Sequence, residues 1–207
     1  MYKKLMLAAV FVMMLAACGP KTTHLSAQFG DNVTDRVKVA VGDKIDTVVY
    51  LQNGKLEIDV PADVTSVSRV RAGMSVYTFI SDGSQITLVP EDGKAHSDKK
   101  NGVHSRFVEY NSWLNSFIAD YRKKADEIGD DKEAADAYFN EEQAKYNDYQ
   151  RATLKANKGN ILGVMALSHL NIDDPKEMLS LINSLSSKMK ETPEAIALKK
   201  EYEAKVK

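Results

Sequence analysis

Along the chain the apolar positions follow three rhythms. Residues 5–17 are apolar without interruption, residues 24–98 alternate, and from Val103 onward apolar residues recur every third or fourth position. In the alternating stretch, Val37, Val39 and Val41 are separated by Lys38 and Ala40, and Leu56, Ile58 and Val60 by Glu57 and Asp59. A two-residue period turns one face of a strand to a core and the other to water. Asn53-Gly54, between the runs 47–51 and 55–60, predicts a hairpin, because both central residues of a type I′ turn need positive φ. Asp82-Gly83, between 76–80 and 85–89, and Asp92-Gly93 repeat the signal. Residues 24–102 are therefore expected to form a small antiparallel β-sandwich or half-barrel of about seven strands.

The longer period begins with Val103, Phe107, Tyr110, Leu114, Phe117, Tyr121, Ala125 and Ile128, one apolar stripe of an amphipathic helix. Gly129-Asp130 interrupts it, and a second, heavily charged helix with Tyr138, Tyr146 and Tyr149 is predicted over 131–155. Residues 161–170 are apolar on nearly all sides and are expected to be buried. Asp174-Pro175-Lys176-Glu177 and Thr192-Pro193 are helix starts, each with a side-chain acceptor followed by proline at the first helical position. The expected fold class is α+β: a β domain at 24–102, then a bundle of about four to five helices at 103–207 packed on the sheet as one unit.

The uninterrupted run follows Lys3 and Lys4 and is shorter than the roughly 20 residues a membrane-spanning helix needs. It reads as a signal peptide, residues 1–17. The run ends at Leu15-Ala16-Ala17-Cys18, which resembles the bacterial lipoprotein box. That resemblance implies cleavage before Cys18, acylation of its thiol and new N-terminus, and a short tether over 18–23. The plainer alternative is an ordinary secretory cleavage site. Several acyl chains would make attachment effectively permanent where one chain holds only marginally. Cys18 is the sole cysteine, so its modification would leave no thiol for a disulfide or a C-x-x-C pair. With no acidic run after Cys18, an anchor in the cell envelope facing the periplasm is expected. Loss of Lys3 and Lys4 leaves the 29 Asp and Glu in slight excess, a balance that offers no bulk attraction to nucleic acid.

The order of these features is familiar. A lipobox cysteine precedes residues 46–58 (DTVVYLQNGKLEI), residues 79–88 (FISDGSQITL), a polar turn opening a helix at Ser105-Arg106-Phe107, and residues 160–167 (NILGVMAL). This resembles the family called domain of unknown function 4369, the N-terminal module of Bacteroidota lipoproteins whose C-terminal half is a thioredoxin-like thiol-disulfide oxidoreductase. The resemblance spans nearly the whole chain after Cys18, but rests on turns and apolar patterns. No thioredoxin-like half with a C-x-x-C pair follows the last helix here. The resemblance thus implies either a stand-alone accessory module or a piece of a longer precursor, with a thioredoxin-like oxidoreductase as partner.

Candidate chemistry is sparse. His96, Asp98 and His104 lie near the sheet-to-helix turn, but proximity in sequence does not make a zinc site, which needs three or four converging ligands. His169, inside an apolar helix, reads as a satisfied buried histidine. Asp130-Asp131 and Glu141-Glu142 read as a helix start and a solvated helix face. There is no G-x-S-x-G elbow, phosphate-binding glycine loop or dinucleotide fingerprint, and neither a cofactor nor a metal is expected. Arg69, Arg71 and Arg106, with Lys94, Lys99 and Lys100, read as cations blunting a sheet edge. The aromatic series of the first two helices is the best candidate recognition surface. Trp113, off the main stripe, is expected either to close the sheet-helix interface or to stand exposed as a partner anchor, with Arg106 as a second contact. The expected function is that of a non-enzymatic, lipid-anchored accessory or binding module. The alternative is a lipoprotein that captures a small molecule or glycan between sheet and helices.

Overall fold

The computed structural model describes residues 21–30, 35–42 and 44–206. The leader, Cys18 and the first part of the tether lie outside the described residues. Among those described are eight strands: β1 (Thr22–Gln28), β2 (Arg36–Val41), β3 (Ile45–Tyr50), β4 (Lys55–Pro61), β5 (Asp63–Ala72), β6 (Ser75–Ser81), β7 (Gln85–Val89) and β8 (Lys94–Ser97). They form two four-stranded sheets, ordered β4-β1-β7-β8 and β3-β2-β5-β6. The alternation read from the sequence decides which side chains meet. Leu25 and Ala27 of β1, Val37, Val39 and Val41 of β2, Leu56 and Val60 of β4 and Phe79 of β6 are all buried in one core between the sheets. The pairings are antiparallel except β1 with β7, which run parallel.

The turns behave less simply than their sequences suggest. Asn53 and Gly54 take φ of 53° and 72°, as a type I′ turn requires, and Gln52 and Lys55 exchange backbone hydrogen bonds across it. Yet the ladder stops there. β3 continues in one sheet and β4 in the other, because both bury a face in the same core from opposite sides. A Cβ at Gly54 would also lie 2.6 Å from the Phe29 carbonyl oxygen, so this crossing needs glycine. Asp82-Gly83 likewise carries the chain between sheets, from β6 to β7. Of the three turns read from the sequence, only Asp92-Gly93 closes a true hairpin, β7 with β8. The β5–β6 hairpin, turning at Gly73-Met74, has no such signature.

Six helices follow among the described residues: α1 (Val103–Ile128), α2 (Lys132–Ala156), α3 (Ile161–His169), α4 (Pro175–Asn183), α5 (Ser187–Lys190) and α6 (Pro193–Lys205). Asp131, Asn160, Asp174 and Thr192 each cap the helix they precede by accepting one of its first N–H groups. Leu162, Val164, Ala166 and Leu167 of α3 are buried in a second core with Phe107, Leu154, Met178 and Met189. The sheet enters that core through Ile80 of β6 and, partly buried, Val64 and Val67 of β5. The fold is thus α+β, a sandwich with helices packed against it.

Candidate functional site

The long helices α1 and α2 form an antiparallel pair joined by the turn at Gly129, and aromatic rings fill the space between them. Trp113 of α1 lies parallel to Tyr149 of α2 with ring centroids 3.5 Å apart, and on Phe117 at 5.1 Å. Phe117 meets Tyr146 at 5.2 Å, and Tyr121 stacks on Tyr138 at 5.5 Å. A helix pair made of rings instead of aliphatics follows from the sequence, since the inward positions of α2 are tyrosines and its outer face is charged. Trp113 therefore sits half-buried between two helices. It neither closes the sheet-helix interface nor stands free.

At the inner end of this ladder is a hydrogen-bonded chain. The Tyr110 hydroxyl donates to Gln150 Oε1 at 2.7 Å and lies 2.8 Å from His169 Nδ1. One hydroxyl carries one proton, so His169 donates from Nδ1. Burial pushes the Tyr110 phenol well above its ordinary pKa. His169, the last residue of α3, is exposed by area, contrary to the buried position expected. Its ring is nevertheless aligned edge to edge with that of Tyr110, the planes 7° apart and the centroids 6.1 Å apart, and partial burial holds its pKa below the usual value. Asn147 of α2 ties the helices further, donating to the Asn171 carbonyl at 3.0 Å and accepting the Asn171 N–H at 3.1 Å.

Beside the ladder is a solvent-open groove of about 440 Å3, lined by Phe117, Tyr121, Phe139 and Tyr146, with His169 and Asn171 at its polar end. Phe139 is 48% exposed, and Ile118, on the same groove, 43%. The walls offer flat apolar surface and few charges. Such a surface recognises by shape and ring contact.

The other candidates are engaged separately. His96 pairs with Asp92 at 2.7 Å, and Asp98 accepts the Gln85 N–H at 2.9 Å. His104 is fully buried, its Nδ1 accepting the Ile80 N–H at 3.2 Å and its Nε2 lying 2.9 Å from the Ala95 carbonyl oxygen. It thereby links β6, the edge of one sheet, to β8, the edge of the other. Asp82 accepts the His104 N–H at 3.0 Å and so caps α1 from a distant turn. Gly102 at that cap has no room for a Cβ, which would lie 2.5 Å from Asp82 Oδ2. Among the described residues no three His, Cys, Asp or Glu converge as metal ligands. Glu141 and Glu142 both pair with Lys145, and Asp131 is the α2 cap. Arg106, half-buried on the first turns of α1, has a buried Nε without a hydrogen-bond partner.

Arg69 and Arg71 are not at a sheet edge. They lie on β5, which with β2 forms the interior of its sheet, so the edge-blunting role expected of them does not apply. The groove on the helix pair was foreshadowed only in part. The tyrosine series pointed to it, while Ile118, four residues from Leu114, and Phe139, seven from Tyr146, widen the two apolar stripes at their flanks.

Compared with models of known protein families, with curated proteins and with solved structures, the chain gives no match. Among the described residues no helix is long and apolar enough to cross a membrane.

Proposed function

We propose that this protein is a non-enzymatic, lipid-anchored module of the cell envelope that holds a partner on the α1–α2 helix pair. The observation that carries this reading is the open groove flanked by Phe139 and Ile118 beside a row of prestacked rings. Rings already packed against each other lose little freedom when a partner covers them, which favours binding per unit of buried area. The anchor is supported by Lys3, Lys4, the apolar run and the Ala16-Ala17-Cys18 junction. The likeness to the domain of unknown function 4369 family supports a thioredoxin-like oxidoreductase as the partner.

The test is affinity capture from envelope membranes with the acylated protein. Recovery of a thioredoxin-like protein is expected. It should fall about tenfold or more for the Ile118→Ser, Phe139→Ser double variant, whose changes are exposed and leave both cores intact. Identical recovery with that variant would reject the groove. Cys18→Ser is expected to move the protein from the membrane to the soluble fraction, and unchanged fractionation would reject the anchor.

A second reading, capture of a glycan or other small molecule, is supported by the polar end of the same groove, where His169 and Asn171 adjoin Phe117 and Tyr146. Sugars present an apolar face to rings and hydroxyls to such polar groups. A ligand seated there would change the fluorescence of Trp113, the only tryptophan, in titration against an oligosaccharide panel. A panel without effect would reject this reading.

A further inference from the structure

The sheet β3-β2-β5-β6 has one face in the sandwich core; on its other face, the two interior strands carry cations in apposition. Lys38 of β2 is directly opposite Arg71 of β5, and one row along Arg69 is opposite Ala40. Like charges facing each other across neighbouring strands oppose pairing. Protection of sheet edges does not account for them, because the edges are β3 and β6. The register places uncharged Val48 and Val76 at those edges, beside Lys38 and Arg71. Lys38 has Asp46 as counter-ion at 3.0 Å. Among the described residues no carboxylate oxygen lies within 4.0 Å of Arg69 or Arg71.

These cations line a depression of about 300 Å3 together with Gly42, Val76 and the Asp46 carboxylate already held by Lys38. At Gly42 and Arg69 it adjoins a larger one of about 520 Å3, where Val67 of β5 faces Val164, Met165 and Leu198 of α3 and α6. The two make one trough, cationic over the sheet and mainly apolar against the helices, with Arg69 at the junction. Glu194 lines the helical part, whereas over the sheet three cations outnumber the single carboxylate of Asp46, so an anion is drawn to the sheet end. The helices wall the trough on one side. It therefore suits a single molecule better than the flat face of a bilayer.

We propose that this trough binds an anionic amphiphile, a phosphate headgroup on Lys38, Arg69 and Arg71 with its hydrocarbon part against Met165 and Leu198. Charge complementarity selects the headgroup, since two arginines with no carboxylate partner among the described residues offer bidentate donors that match phosphate oxygens. The adjoining apolar wall selects what is attached to it. This site is separate from the aromatic groove, and its failure would leave the partner reading untouched.

Calorimetric titration of the purified protein with oleoyl lysophosphatidic acid below its micellar concentration is the direct test. Saturable one-to-one binding is expected, about tenfold or more weaker in the Arg69→Gln, Arg71→Gln variant. The zwitterionic lysophosphatidylcholine should bind more weakly than lysophosphatidic acid, and Met165→Glu should weaken the lipid while sparing any binding of inorganic pyrophosphate. Lys38→Gln, on an exposed position, gives the same readout should either other variant fold poorly. Unchanged affinity in the Gln variants would overturn the proposal, as would pyrophosphate binding as tightly as the lipid. So would binding to anionic vesicles without binding to the monomeric lipid.

Discussion

His104 fits its site only as the neutral ring protonated on Nε2, because Nδ1 must accept the Ile80 N–H while Nε2 donates to Ala95. Burial holds its pKa below the ordinary value, against the weaker pull of the Asp82 carboxylate and with the opposing charge of His96. The unfolded chain therefore takes up a proton at higher pH than the folded one, and stability rises with pH across that interval. This contribution is complete above about pH 6.5, the ordinary histidine value, and is lost as pH falls below it towards the folded pKa. A second loss is expected below about pH 4. Burial alone would raise the Asp63 and Asp82 carboxyls, but hydrogen bonds from Thr65 and Ser66, and from Ser84 and His104, hold both below their usual range, helped by Lys44 and Lys99. Urea unfolding followed across pH should show both steps. His104→Leu should shrink the upper one to the part that His169, also held below its ordinary pKa by burial, contributes, and lower stability by about 2–5 kcal/mol, since it leaves a buried N–H and C=O unpaired. An upper step of undiminished size in this variant would assign it elsewhere. None of this was legible in the sequence. The sequence places His104 with His96 and Asp98 as polar residues near the sheet-to-helix turn, whereas its partners are backbone groups of two strands, which no side-chain pattern reports.

At the scale of elements, the strands were readable because burial of alternate residues is a local signal, and the helix caps because they need a particular side chain at a particular place. Asn53-Gly54 shows the limit. Its φ values follow from the residue types, but which sheet each flanking strand joins depends on Leu56 and Val49 facing one core from opposite sides. Arg69 and Arg71 show the same limit for charge, since a strand's place within its sheet is a property of pairing at long range. The apposition of Lys38 and Arg71 also has an energetic consequence. Arg71→Gln should raise stability by about 0.2–1 kcal/mol, removing a like-charge pair from exposed positions. Thermal unfolding at low ionic strength would show it most clearly, because salt screens such pairs. A variant less stable than the parent would mean that Arg71 has a structural role.

Taken whole, the molecule has two cores that share strands. Phe79 and Ile80 are neighbours on β6, yet one is buried among the strands and the other among the helices. β5 does the same, with Val70 in the first core and Val64 and Val67 against the second. Neither half can open without stripping residues from the other. One cooperative transition is therefore expected, with the calorimetric and van't Hoff enthalpies equal; two resolved transitions would contradict it. The pattern change near residue 102 marks where strands give way to helices; the turn there predicts that the helices pack on the sheet, but not that Phe79 and Ile80, adjacent on one strand, divide between two cores. The order of strands carries one last consequence. β1 lies between β4 and β7, and the Gly83 N–H reaches Thr23 Oγ1 at a separation of 60 residues. A chain emerging from the ribosome N-terminus first thus presents Leu25, Ala27 and Phe29 long before their neighbours exist. For that interval it is a natural client for a holding chaperone.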